Sequence, residues 1–276
     1  MALEKPRQAR TPGLPTGRRL PRIYTPPDTT PRELPKGKDL PDGDGQPMDS
    51  DWVIDQTRIY LIHPLREYLA QQGEEAYVSG DNFVYYDPDR EPVGPDFYVV
   101  RGGRQQGQTK WVAWEEDWRL PTTIIEFLSP STEVRDRGEK FCIYRDAIRA
   151  EEYVLIDQES LQIEHYRLSN GQYVVQQPNL EGWYELQSLG LQLGNEGQWI
   201  RLRTAEGGLL PTAAETAMAE RQRAEAERHR AEAERHRAEA ESQRANAESQ
   251  RADAESQRAE RLAQKSRELG IDPSSP

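Results

Sequence analysis

The chain has 276 residues, with 36 Lys and Arg against 48 Asp and Glu, and one cysteine, Cys142. A single cysteine excludes an internal disulfide and a zinc cluster built on cysteines. The chain has no secretory segment and no apolar stretch near the roughly 18 residues that a membrane span needs. We therefore expect a soluble cytoplasmic protein.

Composition divides the chain into three unlike parts. Residues 1–50 contain ten of the 20 prolines, whereas residues 51–210 contain all six tryptophans and most of the large apolar side chains. Only this middle part can bury enough apolar surface to offset the entropy lost by ordering the chain. We predict a disordered proline-rich leader over residues 1–50, a globular domain over 51–210 and a helical tail over 211–270.

The helix and strand patterns begin directly after the leader. Ile62, Leu65 and Leu69 lie at helical spacing and predict a helix over residues 57–69, which Pro64 kinks or delays. Strands are predicted over residues 76–79, 82–86 and 96–100. Residues 101–121 form a polar excursion, and the apolar run 122–128 predicts a central strand buried on both faces.

The second half of the domain predicts a crossover followed by antiparallel strands. A helix is expected over residues 134–150 and a strand over 152–157. Residues 161–167 and 172–176 predict a hairpin about the turn 169–171, and further short strands follow over 183–203. The fold class is therefore α/β with a mixed, partly antiparallel sheet.

A seven-residue repeat fills the tail, starting at Arg223 and recurring from Arg230 and Arg237. Arg and Glu recur three and four residues apart, and each such pair stabilises an isolated helix by about 0.2–0.5 kcal/mol. Ala226 and His229 lie at the a and d spacing of a coiled coil, but alanine against histidine makes a poor seam. The repeat predicts a long solvated helix that self-associates weakly or binds a partner protein.

Two carboxylates in the domain are candidates for chemistry. Asp96 opens a strand after a turn, and Glu126 interrupts an otherwise apolar strand. An unpaired carboxylate in a dry strand is costly, so it normally has a partner, a metal ion or a displaced pKa. A purely structural alternative is that Glu126 pairs with a buried arginine or caps an amide.

The order of motifs around these residues resembles a known family. The strand at Asp96 is followed by Glu-Phe-Leu-Ser-Pro-Ser-Thr over residues 126–132, then Lys140, Tyr144 and the strand that opens with Glu152-Tyr153. This series resembles the Uma-two family of restriction endonucleases, which is placed in the PD-(D/E)XK nuclease superfamily. The resemblance spans residues 55–205 and is strongest over 95–157.

The resemblance implies a restriction-endonuclease-like core and a role for each motif residue. Asp96 and Glu126 would be metal ligands, with the Phe127 carbonyl as a third. Leu128 stands where the motif lysine is expected, and Lys140 on the following helix would take its role. A structural alternative pairs Lys140 with Asp136 on the helix surface, and Glu67 is a candidate auxiliary acid.

The function implied is Mg²⁺-dependent hydrolysis of DNA phosphodiester bonds, with Mn²⁺ as a possible substitute. Pairing of two copies would let two sites address two strands. The alternative is a catalytically silent nuclease fold that acts as a binding or scaffold protein through its tail. Residues 51–210 carry 15 basic and 27 acidic residues, and this balance favours the alternative because phosphates are normally bound by Lys and Arg.

Overall fold

The computed structural model describes residues 33–43 and 50–268. The chain divides into two compact units, Met1–Ala213 and Ala214–Pro276. The described part of the first unit has a mixed α/β fold, as the sequence predicted, and the described part of the second is a single helix. Residues 1–32 and 44–49 of the predicted leader lie outside the described residues.

The strands of the first unit build one large sheet and two small ones. In chain order the strands are β1 (Ala76–Ser79), β2 (Val84–Tyr85), β3 (Phe97–Arg101), β4 (Trp111–Val112), β5 (Thr123–Leu128), β6 (Glu152–Asp157), β7 (Ile163–Ser169), β8 (Gln172–Val175), β9 (Tyr184–Leu186), β10 (Leu191–Glu196) and β11 (Trp199–Thr204). The large sheet has the order β1-β3-β5-β6-β7-β8. Only β5 and β6 are parallel neighbours in it, because a helix connects them, and its other neighbours are antiparallel.

The first helical stretch is longer than its apolar pattern predicted. It runs through α1 (Asp51–Asp55), a π-helical segment (Gln56–Ile62) and α2 (His63–Gln72). It begins at Asp51 because Ser50 caps it: Oγ of Ser50 accepts a hydrogen bond from the Val53 amide at 3.3 Å. Pro64 lies in the first turn of α2, where its missing N–H interrupts the regular hydrogen-bond ladder and the preceding turns widen.

The second helical stretch connects β5 to β6. It contains α3 (Glu133–Arg135) and two π-helical segments, Asp136–Lys140 and Ile143–Ile148. Arg149 ends it in the left-handed conformation with φ 58°, and its buried residues include Tyr144, Ala147 and Ile148. The helix predicted over 134–150 is therefore present, with its bounds shifted by one or two residues.

The large sheet separates two apolar cores, and β5 contributes to both. Ile125 and Phe127 lie in the core formed with the first helical stretch and the small sheet β9–β11. Ile124 and Leu128 lie in the other core, which contains Tyr144 of the second helical stretch. Because successive side chains of a strand point to opposite faces, Glu126 shares the face of Ile124 and Leu128. Glu126 therefore faces the helix that carries Lys140.

The polar excursion contributes a strand that the sequence did not predict. Trp111 and Val112 form β4, which pairs in parallel with β2. The Trp111 side chain is fully buried, and its indole N–H donates to the Arg119 carbonyl at 2.7 Å. Two residues are too few to show an alternating pattern, so this strand has no signal in the sequence.

Residues 33–43, which belong to the predicted leader, contact the domain. The indole N–H of Trp114 donates to the Pro35 carbonyl at 2.8 Å, and the Tyr85 hydroxyl donates to the Pro41 carbonyl at 2.8 Å. Proline removes a backbone donor but keeps its carbonyl, and a tryptophan or tyrosine near the core requires such an acceptor. These contacts fix a segment whose composition alone indicates disorder.

The described residues of the second unit lie in α4 (Ala213–Glu268), whose 56 residues extend over about 84 Å. Nearly all of its described side chains are exposed, including His229 and His236. Each of these histidines lies 3.8–3.9 Å from a glutamate three residues later. Within the described residues, no helix combines the length and apolarity required to cross a membrane.

Candidate active site

Asp96 and Glu126 are brought together by the pairing of β3 with β5. Phe97 lies opposite Ile125, so the antiparallel register places Asp96, directly before β3, opposite Glu126. Two hydrogen bonds join the residues: the Asp96 amide donates to Oε2 of Glu126 at 3.3 Å, and Oδ2 of Asp96 accepts from the Phe127 amide at 2.7 Å. The two carboxylates therefore share one end of the sheet's central strands.

Lys140 reaches the same position from the helix that follows β5. Its ammonium lies 2.9 Å from Oε1 of Glu126 and 3.0 Å from Oδ1 of Asp136, and it donates to the Gly94 carbonyl at 3.2 Å. Asp136 lies four residues before Lys140, one helical turn away. The lysine thus connects a strand carboxylate with a helix carboxylate.

Tyr144 completes the cluster one turn beyond Lys140. Its hydroxyl donates to Oε1 of Glu126 at 2.6 Å, and its side chain is fully buried. Burial and the nearby charge of Glu126 raise the pKa of Tyr144 well above its ordinary value, so the hydroxyl keeps its proton and acts as a donor.

Burial sets the electrostatics of the cluster. It raises the pKa of Asp96 well above the ordinary value, and the charge of Glu126 raises it further. Burial also raises the pKa of Glu126, although Lys140 opposes this shift. Burial lowers the pKa of Lys140, but the carboxylates of Glu126, Asp136 and Asp96 outweigh it and the net pKa is raised. Lys140 therefore stays cationic at neutral pH.

The residues of the cluster differ in exposure. The side chains of Glu126, Asp136 and Lys140 are buried, whereas residue Asp96 as a whole is partly exposed although its carboxyl group lies deep enough for burial to raise its pKa.

The geometry settles which partners the sequence-predicted residues have. Lys140 contacts both Glu126 and Asp136, so the two partners considered for it from sequence are present together. Glu126 pairs with a lysine and not with a buried arginine. Glu67, the candidate auxiliary acid, is exposed on α2 and makes no hydrogen bond or ion pair with this cluster.

Sequence reasoning did not assign a role to Tyr144 or include Gln158. Tyr144 stood among the motif residues, four positions after Lys140, and that spacing alone could have placed both side chains on one helix face. Gln158 donates from Nε2 to the Phe127 carbonyl at 3.3 Å. No signal in the sequence identifies Gln158, because its contact depends on the pairing of β5 with β6.

The donor chemistry of the cluster fits a hard divalent cation. Asp96 and Glu126 offer carboxylate oxygens, and Oδ1 of Asp96 accepts no hydrogen bond from any described residue. Over residues 33–43 and 50–268, no three His, Cys, Asp or Glu side chains form a ready metal-binding group. A cation such as Mg²⁺, which keeps several waters, needs only one or two protein carboxylates.

The model of the Uma2 family, described as "Putative restriction endonuclease", matches residues 40–203. The chain belongs to this family.

Two further comparisons give individual relatives. "Uncharacterized protein slr1290" of Synechocystis sp. is 31% identical over 98 residues, which are 35% of this chain and 48% of that protein. The chain thus spans about half the length of this relative. A crystal structure of "a putative nuclease belonging to DUF820" from Anabaena variabilis is 16% identical, with a TM-score of 0.37, and the match covers 55% of this chain and 87% of that chain.

Proposed function

We propose that residues 51–210 form a Mg²⁺-dependent endonuclease domain that hydrolyses DNA phosphodiester bonds, with Asp96, Glu126 and Lys140 as its active site. One observation carries this proposal. The buried ammonium group of Lys140 contacts the carboxylate of Glu126, and Asp96 faces Glu126 across the β3–β5 pair. Membership of the restriction endonuclease family supports it.

In this proposal Asp96 and Glu126 hold the cation, Mg²⁺ or Mn²⁺, through carboxylate oxygens. Gln158 positions the Phe127 carbonyl, which is the expected third ligand. When bound, a divalent cation supplies Lewis acidity and makes the ionisation of water easier. Water would attack the phosphorus directly, without a covalent enzyme intermediate, as the P–O bond to one sugar oxygen breaks and that oxygen leaves and takes up a proton.

Lys140 supplies a fixed positive charge. Because its pKa is raised, it keeps its proton and does not act as a general base. A preorganised ammonium group stabilises the negative charge that develops on a phosphate during attack, and it does so more strongly where water is excluded. The burial of Lys140 provides that environment.

A cleavage assay on supercoiled plasmid DNA at low ionic strength tests the proposal. Low salt is required because an acidic domain binds phosphates weakly. We expect Mg²⁺-dependent cleavage that EDTA abolishes and that Asp96→Asn, Glu126→Gln and Lys140→Met each reduce by about 10² or more. Glu152→Gln is the matched control, since Glu152 is an equally buried carboxylate whose hydrogen bonds lie outside the cluster. Cleavage unchanged in all three site variants would refute the site.

A catalytically silent fold with an interaction tail is the second candidate function. The acidic balance of the domain supports it, as does Leu128 at the position of the motif lysine. Calorimetric titration with Mn²⁺ separates the two, because a scaffold without a metal site gives no heat that depends on Asp96.

The tail also enters the proposal. We propose that residues 211–270 mediate pairing of two copies or binding of a partner protein. Repetition of the seven-residue unit along α4 supports this role, since it presents the same side chains on one face about every two turns.

A further inference from the structure

Tyr144 is a buried side chain whose only polar atom is directed at Glu126. The phenol oxygen lies 2.6 Å from Oε1 of Glu126. The ring packs edge-on against Tyr153, with the ring centroids 5.1 Å apart and the planes at 69°. The neighbouring ring thus fixes the position from which the hydroxyl donates.

The two oxygens of Glu126 have different partners. Oε1 accepts from Tyr144 and from the Lys140 ammonium at 2.9 Å. Oε2 faces the Asp96 amide at the longer distance of 3.3 Å. The strong donors therefore lie on one oxygen and leave the other oxygen toward Asp96.

Such an arrangement requires a donor that does not move. The terminal torsion of a glutamate has broad, roughly two-fold preferences, so the carboxylate turns easily unless it is held. Lys140 divides its ammonium among Glu126, Asp136 and Gly94 on a flexible stem. Tyr144 has a rigid ring and one acceptor, and it is the better clamp.

We propose that Tyr144 is a positioning residue of the site: its hydroxyl holds Oε1 of Glu126 so that Oε2 is directed, beside Asp96, at the divalent cation. This inference rests on the proposed function, and it assigns to Tyr144 a role in metal affinity. Partners that orient a metal ligand typically change metal affinity or activity by about 10- to 100-fold when they are removed.

Tyr144→Phe is the test, because it removes the hydroxyl and keeps the ring. Tyr153→Phe is the matched control: Tyr153 is equally buried in the same aromatic cluster, but its hydroxyl donates to the Asp136 carbonyl at 3.0 Å and does not touch Glu126. The dissociation constant for Mn²⁺ is measured by calorimetry on the full chain, and thermal unfolding confirms that each variant is folded.

We expect Tyr144→Phe to weaken Mn²⁺ binding by about 10- to 100-fold and Tyr153→Phe to leave it unchanged. Equal affinity of Tyr144→Phe and the unaltered protein would overturn the inference, and so would equal weakening by both variants. If the unaltered protein binds Mn²⁺ and Asp96→Asn abolishes binding, a normal Tyr144→Phe refutes the positioning role alone. If the unaltered protein shows no binding that depends on Asp96, both the inference and the proposed function fail.

Discussion

Glu126 is a carboxylate in a buried strand, and contacts with its neighbours stabilise it there. Its side chain is about 1% exposed, and the Asp136 side chain, which shares Lys140 with it, is about 2% exposed. Taking a carboxylate out of water costs several kcal/mol, which only close and well-oriented partners offset. Lys140 is the one cation that contacts both carboxylates in the described part of the chain.

Replacing Lys140 with methionine should therefore destabilise the fold. The substitution keeps most of the apolar stem but leaves two buried carboxylates without a counter-charge, a loss of about 3–5 kcal/mol in the free energy of unfolding at neutral pH. Urea unfolding at fixed pH measures it. Arg135→Met is the control, because Arg135 pairs with Glu139 where both are more than half exposed. A loss as small as in this control would show that Lys140 is not needed to bury Glu126.

His165 is a second buried group whose charge state is fixed by its surroundings. It lies in β7 and is fully buried; neither ring nitrogen has a hydrogen-bond partner among the described residues, and Nε2 lies 3.7 Å from Oε1 of Glu152. Burial lowers the pKa of His165 from 6.5 to about 4, and the charge of Arg167 acts in the same direction. The imidazole is therefore neutral in the folded protein.

This shift predicts a pH-dependent contribution to stability. Well above pH 6.5 the histidine is neutral in both states. As the pH falls from 6.5 toward 4, the unfolded state takes up the proton first and stability is lost, on the order of 3 kcal/mol in total. Unfolding free energies between pH 7 and 4 should fall less steeply for His165→Phe than for the unaltered protein. His63→Gln, at an exposed histidine, is the control. If the unfolding free energy of His165→Phe fell with pH as steeply as that of His63→Gln, the account would be contradicted.

Which site residues the sequence can predict depends on the kind of contact. Asp96 and Glu126 stand out because they match motif positions of the family that the sequence resembles. Lys140 stands out as the lysine on the following helix, since Leu128 occupies the position of the motif lysine, and all three assigned roles remain predictions. The hydrogen bonds from Tyr144 and Gln158 arise from side-chain directions and strand register that one sequence does not reveal. The Gly94 carbonyl, which accepts from Lys140, belongs to a turn without any motif.

Among the elements, long periodic segments were predictable and short ones were not. The fully buried pattern of β5 follows directly from its apolar run, and the predicted hairpin corresponds to β7 and β8. The first helical stretch was predicted six residues too short at its N-terminus, because Ser50 starts it by capping rather than by periodicity. The strand predicted over 82–86 is only the two-residue β2, Val84–Tyr85.

Gly80, directly after β1, lies against the backbone of Asp96, directly before β3. A Cβ atom on Gly80 would lie 1.9 Å from the Asp96 carbonyl oxygen, so only glycine fits at this position without a backbone shift. The adjacent Asp81 amide donates to the Pro95 carbonyl at 3.0 Å, which fixes the turn before β3. The backbone of one strand end thus sets the position of a candidate metal ligand.

Gly80→Ala should therefore damage both stability and the site. Overpacking of this kind costs about 1–3 kcal/mol, and the shift would displace Asp96. Gly138→Ala is the matched control, since a Cβ there meets no atom within 4 Å and the residue lies in the helix that carries Lys140. We expect the control to stabilise the protein by up to about 1 kcal/mol. The thermal unfolding transition and the Mn²⁺ affinity are measured for both variants. Equal values for Gly80→Ala and Gly138→Ala would show that the close contact at Gly80 does not restrict the position of Asp96.

In the molecule as a whole, all residues of the two apolar cores lie between Val53 and Leu210. None of the described side chains of the tail belongs to either core. Its sequence predicted a long helix because the repeat is regular, and α4 confirms that helix. Whether the helix pairs with a second copy depends on a seam of alanine with histidine or glutamine, which is weak by itself.

Deleting residues 214–276 should separate folding from assembly. We expect the unfolding transition of the domain to be unchanged, because both cores remain complete. Light scattering after size-exclusion chromatography should show dimers of the full chain at high concentration and monomers of the shortened chain. A shortened chain that remains dimeric would place the contact in the domain and contradict the role proposed for the tail.

The proposed metal site can be observed in a crystal of the full chain soaked in Mn²⁺. The anomalous difference map should contain one peak bonded to carboxylate oxygens of both Asp96 and Glu126, with Lys140 beside it. The same peak should be absent from crystals of Asp96→Ala. A map without a peak at these carboxylates, or with its peak elsewhere in the molecule, would contradict the account of this chain as a metal-dependent nuclease.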